Sequence, residues 1–291
     1  MKDKILPYLQ LMRFANIFTA MADVLAGYLI VSGMRMRFPD LAGLLLSSSC
    51  IYAGGCVLND FCDKETDARE RPFRPLPAGK ISSREALILL LILLGLGLAA
   101  SLWVGYSSAL VAGSLVTLVF SYNMGTKDRT HLGALNMGAC RALNLVLGMS
   151  RGPFPMEIWP LFPIVSLVHV FSLTLLSRFE VNDGLGNTKW SVAAGWAGVV
   201  LTLGAVTAGG GLSMGASAFL WIFTIWTGLP LLKALMNPGP EVVGKAVKAL
   251  ILGIPLLDAI YVSGMQGWAF GIPVVLCLVP AVFVSRYLYV T

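Results

Sequence analysis

Apolar runs of about 20 residues, separated by short polar breaks, recur along almost the whole chain. They fall near residues 14–33, 41–60, 86–104, 107–125, 132–150, 158–179, 191–211, 216–236, 244–263 and 267–287. About 20 residues of α-helix rise roughly 30 Å, the thickness of a bilayer's hydrocarbon core. The pattern therefore predicts ten membrane-crossing helices, the last two with the least definite boundaries. Segments of about ten residues with alternating polarity, the signature of a membrane β-barrel, are not evident. The expected fold class is all-α, a polytopic helical bundle forming one domain over residues 1–291.

Composition agrees, with 57% hydrophobic and 12% charged residues against roughly 45–50% and about 25% in soluble domains. The basic start, Met1 to Phe14, resembles the first region of a signal peptide, but no small-residue cleavage site follows. Phe14 to Gly33 is read as a retained helix. Placing the loops alternately on two sides puts seventeen of the 21 Lys and Arg residues on one side, leaving Arg35, Arg37 and Arg151 opposite and Arg141 within a span. The positive-inside rule makes the rich side cytoplasmic, with both ends there, in a bacterial-type inner membrane. The formal charge of +6 then follows from topology and anionic lipid contact, and no nucleic-acid partner is indicated. Cys50, Cys56, Cys62, Cys140 and Cys277 show no metal-binding spacing and read mainly as small hydrophobes.

The longest polar stretch, Asn59 to Glu85, opens with Asn-Asp-Phe-Cys-Asp-Lys-Glu-Thr-Asp. Asp60, Asp63 and Asp67 stand at i, i+3 and i+7, so a continuous helix would place them on one face. Carboxylates so close repel unless a cation lies between them, and Mg²⁺ prefers such hard oxygen ligands. Arg69, Arg71 and Arg74 follow, and guanidinium groups pair well with phosphate oxygens. Hence these acids are candidate Mg²⁺ ligands and, through the metal, a diphosphate site. A solvated loop with local pairs such as Asp67–Arg71 is the bland alternative.

A second polar segment, Ser177 to Lys189, offers Glu180 and Asp183 between Arg178 and Lys189. Two acidic clusters on one membrane face could hold metal on both sides of a diphosphate. Tyr122, Asn123, Lys127 and Arg129 end an apolar run on the same side, where a lysine can meet a leaving phosphate. Charged groups within apolar runs are expensive and usually face a cavity or each other; Arg13, Asp23, Arg141 and Asp258 qualify. His169 reads as a helix-packing hydrogen-bonder.

The motif Asn59-Asp60-x-x-Asp63-x-x-x-Asp67, followed by Arg71-Pro-Phe-Arg74-Pro-Leu-Pro-Ala-Gly79-Lys-Ile-Ser, resembles the first aspartate-rich region of the UbiA family of intramembrane prenyltransferases. Arg13-x-x-Asn16 is similar to that family's first-helix signature, and Tyr122 with Lys127 to its fourth-helix tyrosine and lysine. The resemblance runs to at least Lys189 and is similar to the EboC-like branch. It implies nine to ten helices around a central cavity under a polar cytoplasmic cap. It further implies Mg²⁺-dependent ionisation of a polyprenyl diphosphate and transfer of its isoprenoid to an aromatic or small lipophilic acceptor. Asp60, Asp63, Asp67, Lys127 and Tyr122 would be catalytic. Arg13, Asn16, Asn59, Arg71, Arg74, Arg141 and Lys189 would bind substrate, and Glu180 and Asp183 would complete the metal ligands. The family's second motif usually starts with aspartate, whereas Phe179 occupies that place here. A transporter or lipid-binding protein with a degraded prenyltransferase site is the alternative.

Overall fold

The computed structural model describes residues 2–33, 35–152, 160–179, 186 and 188–285. Helix α1 (Lys2–Leu11) leads through a break at Met12 and Arg13 into α2 (Phe14–Ser32), followed by α3 (Phe38–Cys62) and the short α4 (Lys64–Glu70). Next come α5 (Ser83–Val104), α6 (Tyr106–Ser121), a π-helical turn at Tyr122–Thr126, α7 (Thr130–Met149) and α8 (Leu161–Ser177). The chain continues with α9 (Thr188–Ala208), α10 (Gly215–Met236), α11 (Pro240–Gln266), a 3₁₀ turn at Trp268–Phe270, α12 (Gly271–Leu276) and α13 (Leu278–Ser285). Among the described residues, nine helical segments are long and apolar enough to cross a membrane, and α8 adds a shorter apolar helix of 17 residues. All ten lie on the expected apolar runs. The protein is an integral, multi-pass, all-helical membrane protein.

Helix boundaries follow local chemistry. Ser82 and Glu85 form a reciprocal capping box at the start of α5, satisfying donors that the first helical turn leaves open. Pro240 starts α11, where a missing N–H costs nothing. The final span is not one helix: it is divided at Cys277 into α12 and α13, which explains its indistinct sequence boundary.

Burial separates inner from outer helices. In α11, 83% of the apolar window is enclosed, against 17% in the Tyr106–Thr126 segment. One core cluster joins Ala22, Ala26 and Leu29 of α2 to Leu145, Phe162, Phe223, Ile260 and Tyr261. Leu91, Trp103, Leu201 and Trp221 are exposed on the outside, as suits lipid contact. Helices α2 and α7 approach backbone to backbone: a Cβ on Gly27 would stand 2.2 Å from the Leu145 carbonyl oxygen, and one on Gly148 2.3 Å from that of Val24. Only glycine permits this crossing, which holds two walls of the central cavity together. At one end of the bundle, Asp40 pairs with Arg151 at 3.1 Å and Arg37 at 3.7 Å. The acidic motif lies at the other end.

Candidate functional site

The nine-residue motif does not form one continuous helix. α3 stops at Cys62, Asp63 has φ −90° and ψ 3°, and α4 begins at Lys64. The bend divides the three aspartates. Asp60 and Asp67 are 5% and 4% exposed and share Arg74, itself 8% exposed. Arg74 Nη1 donates to Asp60 Oδ1 at 3.3 Å and to Asp67 Oδ2 at 2.7 Å. Asp63 instead pairs with Lys127 and accepts from Asn59 Nδ2 at 3.1 Å. The anticipated single carboxylate face is thus two adjoining ion-pair groups. The local Asp67–Arg71 side-chain pair is replaced by Asp67–Arg74, with Arg71 donating only its backbone N–H to the Asp67 carbonyl.

Arg13 reaches the same cluster from the start of α2. Its Nη2 lies 3.3 Å from Asp60 Oδ1 and 3.2 Å from Asn59 Oδ1. The residue sits at φ 47°, ψ 50°, a left-handed conformation costing an L-residue about 1–2 kcal/mol. Surroundings that impose such strain commonly do so at functional positions. Asn59 also donates to Asn123 Oδ1 at 3.1 Å, and Asn123 lies buried in the π-helical turn after α6. That turn shifts the register, placing Lys127 beside Asp63; π-helical segments of this kind recur at functional sites. Arg178, at the end of α8, donates to the Lys127 carbonyl. Ends of α2, α3, α6, α7 and α8 therefore meet in one charged cap.

Beneath the cap opens a cavity of about 380 Å³. Arg13, Asn16, Asn59, Tyr122 and Asn123 line its charged end, and Ile51, Leu115, Val119, Leu173, Val247 and Ile254 contribute to its apolar walls. The structure so brings Arg13, Asn16, Asn59, Asp60, Asp63, Asp67, Arg74, Tyr122 and Lys127 into one region. Arg71 is half-buried on the loop after α4. Lys189 lies over the Trp190 ring, 5.4 Å from its centroid, and is absent from the cavity lining. Arg141 lines the cavity but deeper, paired with Asp23 at 2.6 Å. Glu180 and Asp183 lie outside the described residues. The sequence singles out Asn123 with Tyr122 and Lys127, whereas Thr19, a polar residue within an apolar run, is not singled out.

Among the described residues no three His, Cys, Asp or Glu side chains are gathered as a ready metal cage. The donor chemistry nonetheless fits a hard divalent cation. Arg13 and Arg74 both bond to Asp60 Oδ1, so Oδ2 carries neither of these bonds, and Asp63 keeps 26% of its side chain exposed. Arginine and lysine occupy the positive role that the acidic motif requires. A metal would share it with them.

A multi-pass helical bundle with paired acids and bases over a membrane-embedded cavity defines an intramembrane protein whose polar cap can hold an anionic group. Residues 20–237 match the UbiA prenyltransferase family, and the chain belongs to that family. It is 33% identical over 193 residues to digeranylgeranylglyceryl phosphate synthase of Saccharolobus solfataricus, covering 62% of this chain and 66% of the relative. The namesake from Methanocaldococcus jannaschii is 31% identical over 185 residues, covering 62% and 64%. The matched region thus spans just under two thirds of these relatives' length. A solved structure concerning digeranylgeranylglyceryl phosphate synthase in membranes superposes with a TM-score of 0.71 at 23% identity, covering 91% of this chain and 99% of the other. A UbiA homolog from Archaeoglobus fulgidus bound to GPP and Mg²⁺ superposes with a TM-score of 0.69 at 16% identity, covering 92% and 99%.

Proposed function

We propose that this protein is an Mg²⁺-dependent prenyltransferase that moves an isoprenoid group from a polyprenyl diphosphate to a lipophilic acceptor, with its cap facing the cytoplasm. The observation that carries this reading is the buried Asp60–Arg74–Asp67 group, joined by Arg13, at the mouth of a largely apolar cavity. Asp60, Asp63 and Asp67 would hold the metal, with Glu180 and Asp183 as further ligands; when bound, the cation neutralises charge accumulating on the leaving diphosphate. Arg13, Asn16, Asn59, Arg71, Arg74 and Lys189 would face the diphosphate. Lys127 and Tyr122, at the end of α6, would meet the leaving group and the reacting carbon.

The allylic carbon–oxygen bond breaks with its electron pair leaving on pyrophosphate. The acceptor's oxygen or carbon supplies the pair for the new bond, and its proton passes to pyrophosphate or water. The apolar walls exclude water from the electron-poor allyl group and favour the prenyl tail. The relatives' name favours a glyceryl phosphate lipid over the aromatic acceptor expected from the family resemblance.

The test is pyrophosphate release from geranylgeranyl diphosphate by the purified protein in lipid nanodiscs, with Mg²⁺ and with chelator. Asp60→Asn and Asp63→Asn are each expected to lower Mg²⁺-dependent turnover at least about a hundredfold, the scale of losing a key electrostatic contact. Full turnover in either variant refutes the metal assignment. Transport of the diphosphate without pyrophosphate release refutes the enzymatic reading and favours a carrier.

A further inference from the structure

Behind the cavity wall, two carboxyl groups face each other away from the charged cap. Asp23 stands near the middle of α2 and Asp258 in the second half of α11. They are 1% and 0% exposed, and neither lines the cavity. Their side chains come within hydrogen-bonding reach of each other. Helix α12, which ends where the final span is interrupted at Cys277, packs against both α2 and α11, and Cys277 stands near Asp258.

From α7, Asn144 Nδ2 donates to Asp23 Oδ2 at 2.8 Å, and Arg141 Nε lies 2.6 Å from the same oxygen, an ion pair in which that N–H makes no aligned hydrogen bond. Helix α8 brings Ser166, bonded to Tyr261 of α11, and His169, whose Nε2 meets the Leu250 carbonyl. His169 Nδ1 has no partner, as suits a neutral imidazole, since a charged ring would bury an unpaired N–H. Helix α10 presents Phe223 and Thr227 to α11 at Gly253. Among the described residues, Arg141 is thus the lysine or arginine paired with Asp23, and Asp258 has no ion-pair partner. Asp23 Oδ1 and both oxygens of Asp258 are buried without a hydrogen-bond donor.

An ionised carboxylate can only accept hydrogen bonds. Two of them facing each other offer acceptors and no donor, and one guanidinium beside two anions leaves an unbalanced negative charge, which a buried, low-dielectric setting makes costly. A single proton removes both defects: it neutralises the excess charge and supplies the missing donor. A metal cation serves less well, because hard divalent cations gather roughly six oxygen ligands, and among the described residues no three His, Cys, Asp or Glu side chains converge. We propose that Asp23 and Asp258 form a proton-binding site, with one proton held in a hydrogen bond between the two carboxyl groups. Asp258 is its carrier, because Asp23 already has Arg141 to balance its charge. The shared proton fastens α2 to α11 behind the cavity, joining positions 235 residues apart (258 − 23). The site is separate from the diphosphate cap and stands whether or not the prenyltransferase reading does.

Asp258→Asn keeps the side chain's shape and offers an N–H in place of the O–H, so it should fold, and it no longer titrates. Unfolding of the full chain in mixed detergent–SDS micelles is compared between wild type and this variant. An unfolded aspartate gives up its proton above about pH 4, whereas the folded pair keeps it, so the folded state binds one proton more than the unfolded. The wild-type unfolding constant should therefore rise about tenfold per pH unit relative to the variant's, roughly a hundredfold from about pH 5 to about pH 7. The infrared C=O band of a protonated carboxyl should be present in wild type and missing from Asp258→Asn. Asp258→Glu, which keeps the acid, should move that band without abolishing it, and this arm decides the question even if the Asn variant fails to fold. Replacing sodium chloride by choline chloride should leave the wild-type to variant ratio unchanged. A ratio that is flat with pH, or a wild-type spectrum in which Asp258→Glu moves no such band, overturns the proposal. A flat ratio that depends on sodium also overturns it, and puts a metal cation in the proton's place.

Discussion

Replacing Arg74 with glutamine removes the cation that, among the described residues, touches both Asp60 and Asp67. The side chains of all three are at least nine-tenths buried, with contacts of 3.3 and 2.7 Å, so water cannot screen what remains. Removing one partner of a buried ion pair costs about 3–5 kcal/mol, because an uncompensated charge is left behind; Arg13 remains beside Asp60 alone, which places the expectation for Arg74→Gln near the lower end. Reversible unfolding in mixed detergent–SDS micelles measures it. If Mg²⁺ takes up the same carboxylates, it replaces the missing charge: at a hundred times its Kd a ligand specific for the folded state returns about 2.7 kcal/mol. Arg74→Gln should accordingly regain most of its loss with Mg²⁺. Combining it with Asp67→Asn should cost less than the sum of the single changes, with a coupling of about 0.5–3 kcal/mol. A loss under about 1 kcal/mol, the range of exposed ion pairs, or no response to Mg²⁺ would refute the reasoning.

Two further outcomes follow from the geometry. Lys127→Met removes a pair whose side chains are 18% and 26% exposed, so unfolding stability should fall by no more than about 1 kcal/mol while donor KM rises roughly tenfold through loss of a phosphate-facing charge; an unchanged KM speaks against its role. Gly27→Val places carbon within 2.2 Å of the Leu145 carbonyl oxygen and must separate α2 from α7, costing about 1–3 kcal/mol or more. Wild-type stability in the same micelle assay would show that the crossing is looser than described.

Much of the molecule was legible along the chain. Ten apolar runs located the ten apolar helical segments found among the described residues, since a bilayer demands internally bonded segments of matching length, and the aspartates, Arg13, Arg74 and Lys127 announced themselves as charges at membrane edges. His169 was expected to pack by hydrogen bonding and does so, its Nε2 lying 3.1 Å from the Leu250 carbonyl oxygen. Pairing was not legible. Spacing of i, i+3 and i+7 implied a shared face only if the helix continued, and whether it continues through Asp63 depends on where Arg74 and Lys127 arrive from distant parts of the chain. Arg141 and Asp23 stand 118 positions apart (141 − 23); each alone is a charge in an apolar run, and only the α2–α7 crossing at Gly27 and Gly148 brings them together. Sequence by itself determined the membrane bundle and the residue types of its cap, because burial in lipid and charge at its edge are local constraints. Tertiary structure decided which acid meets which base and which polar side chains line the cavity, because those depend on helix crossings and bends that no local pattern records.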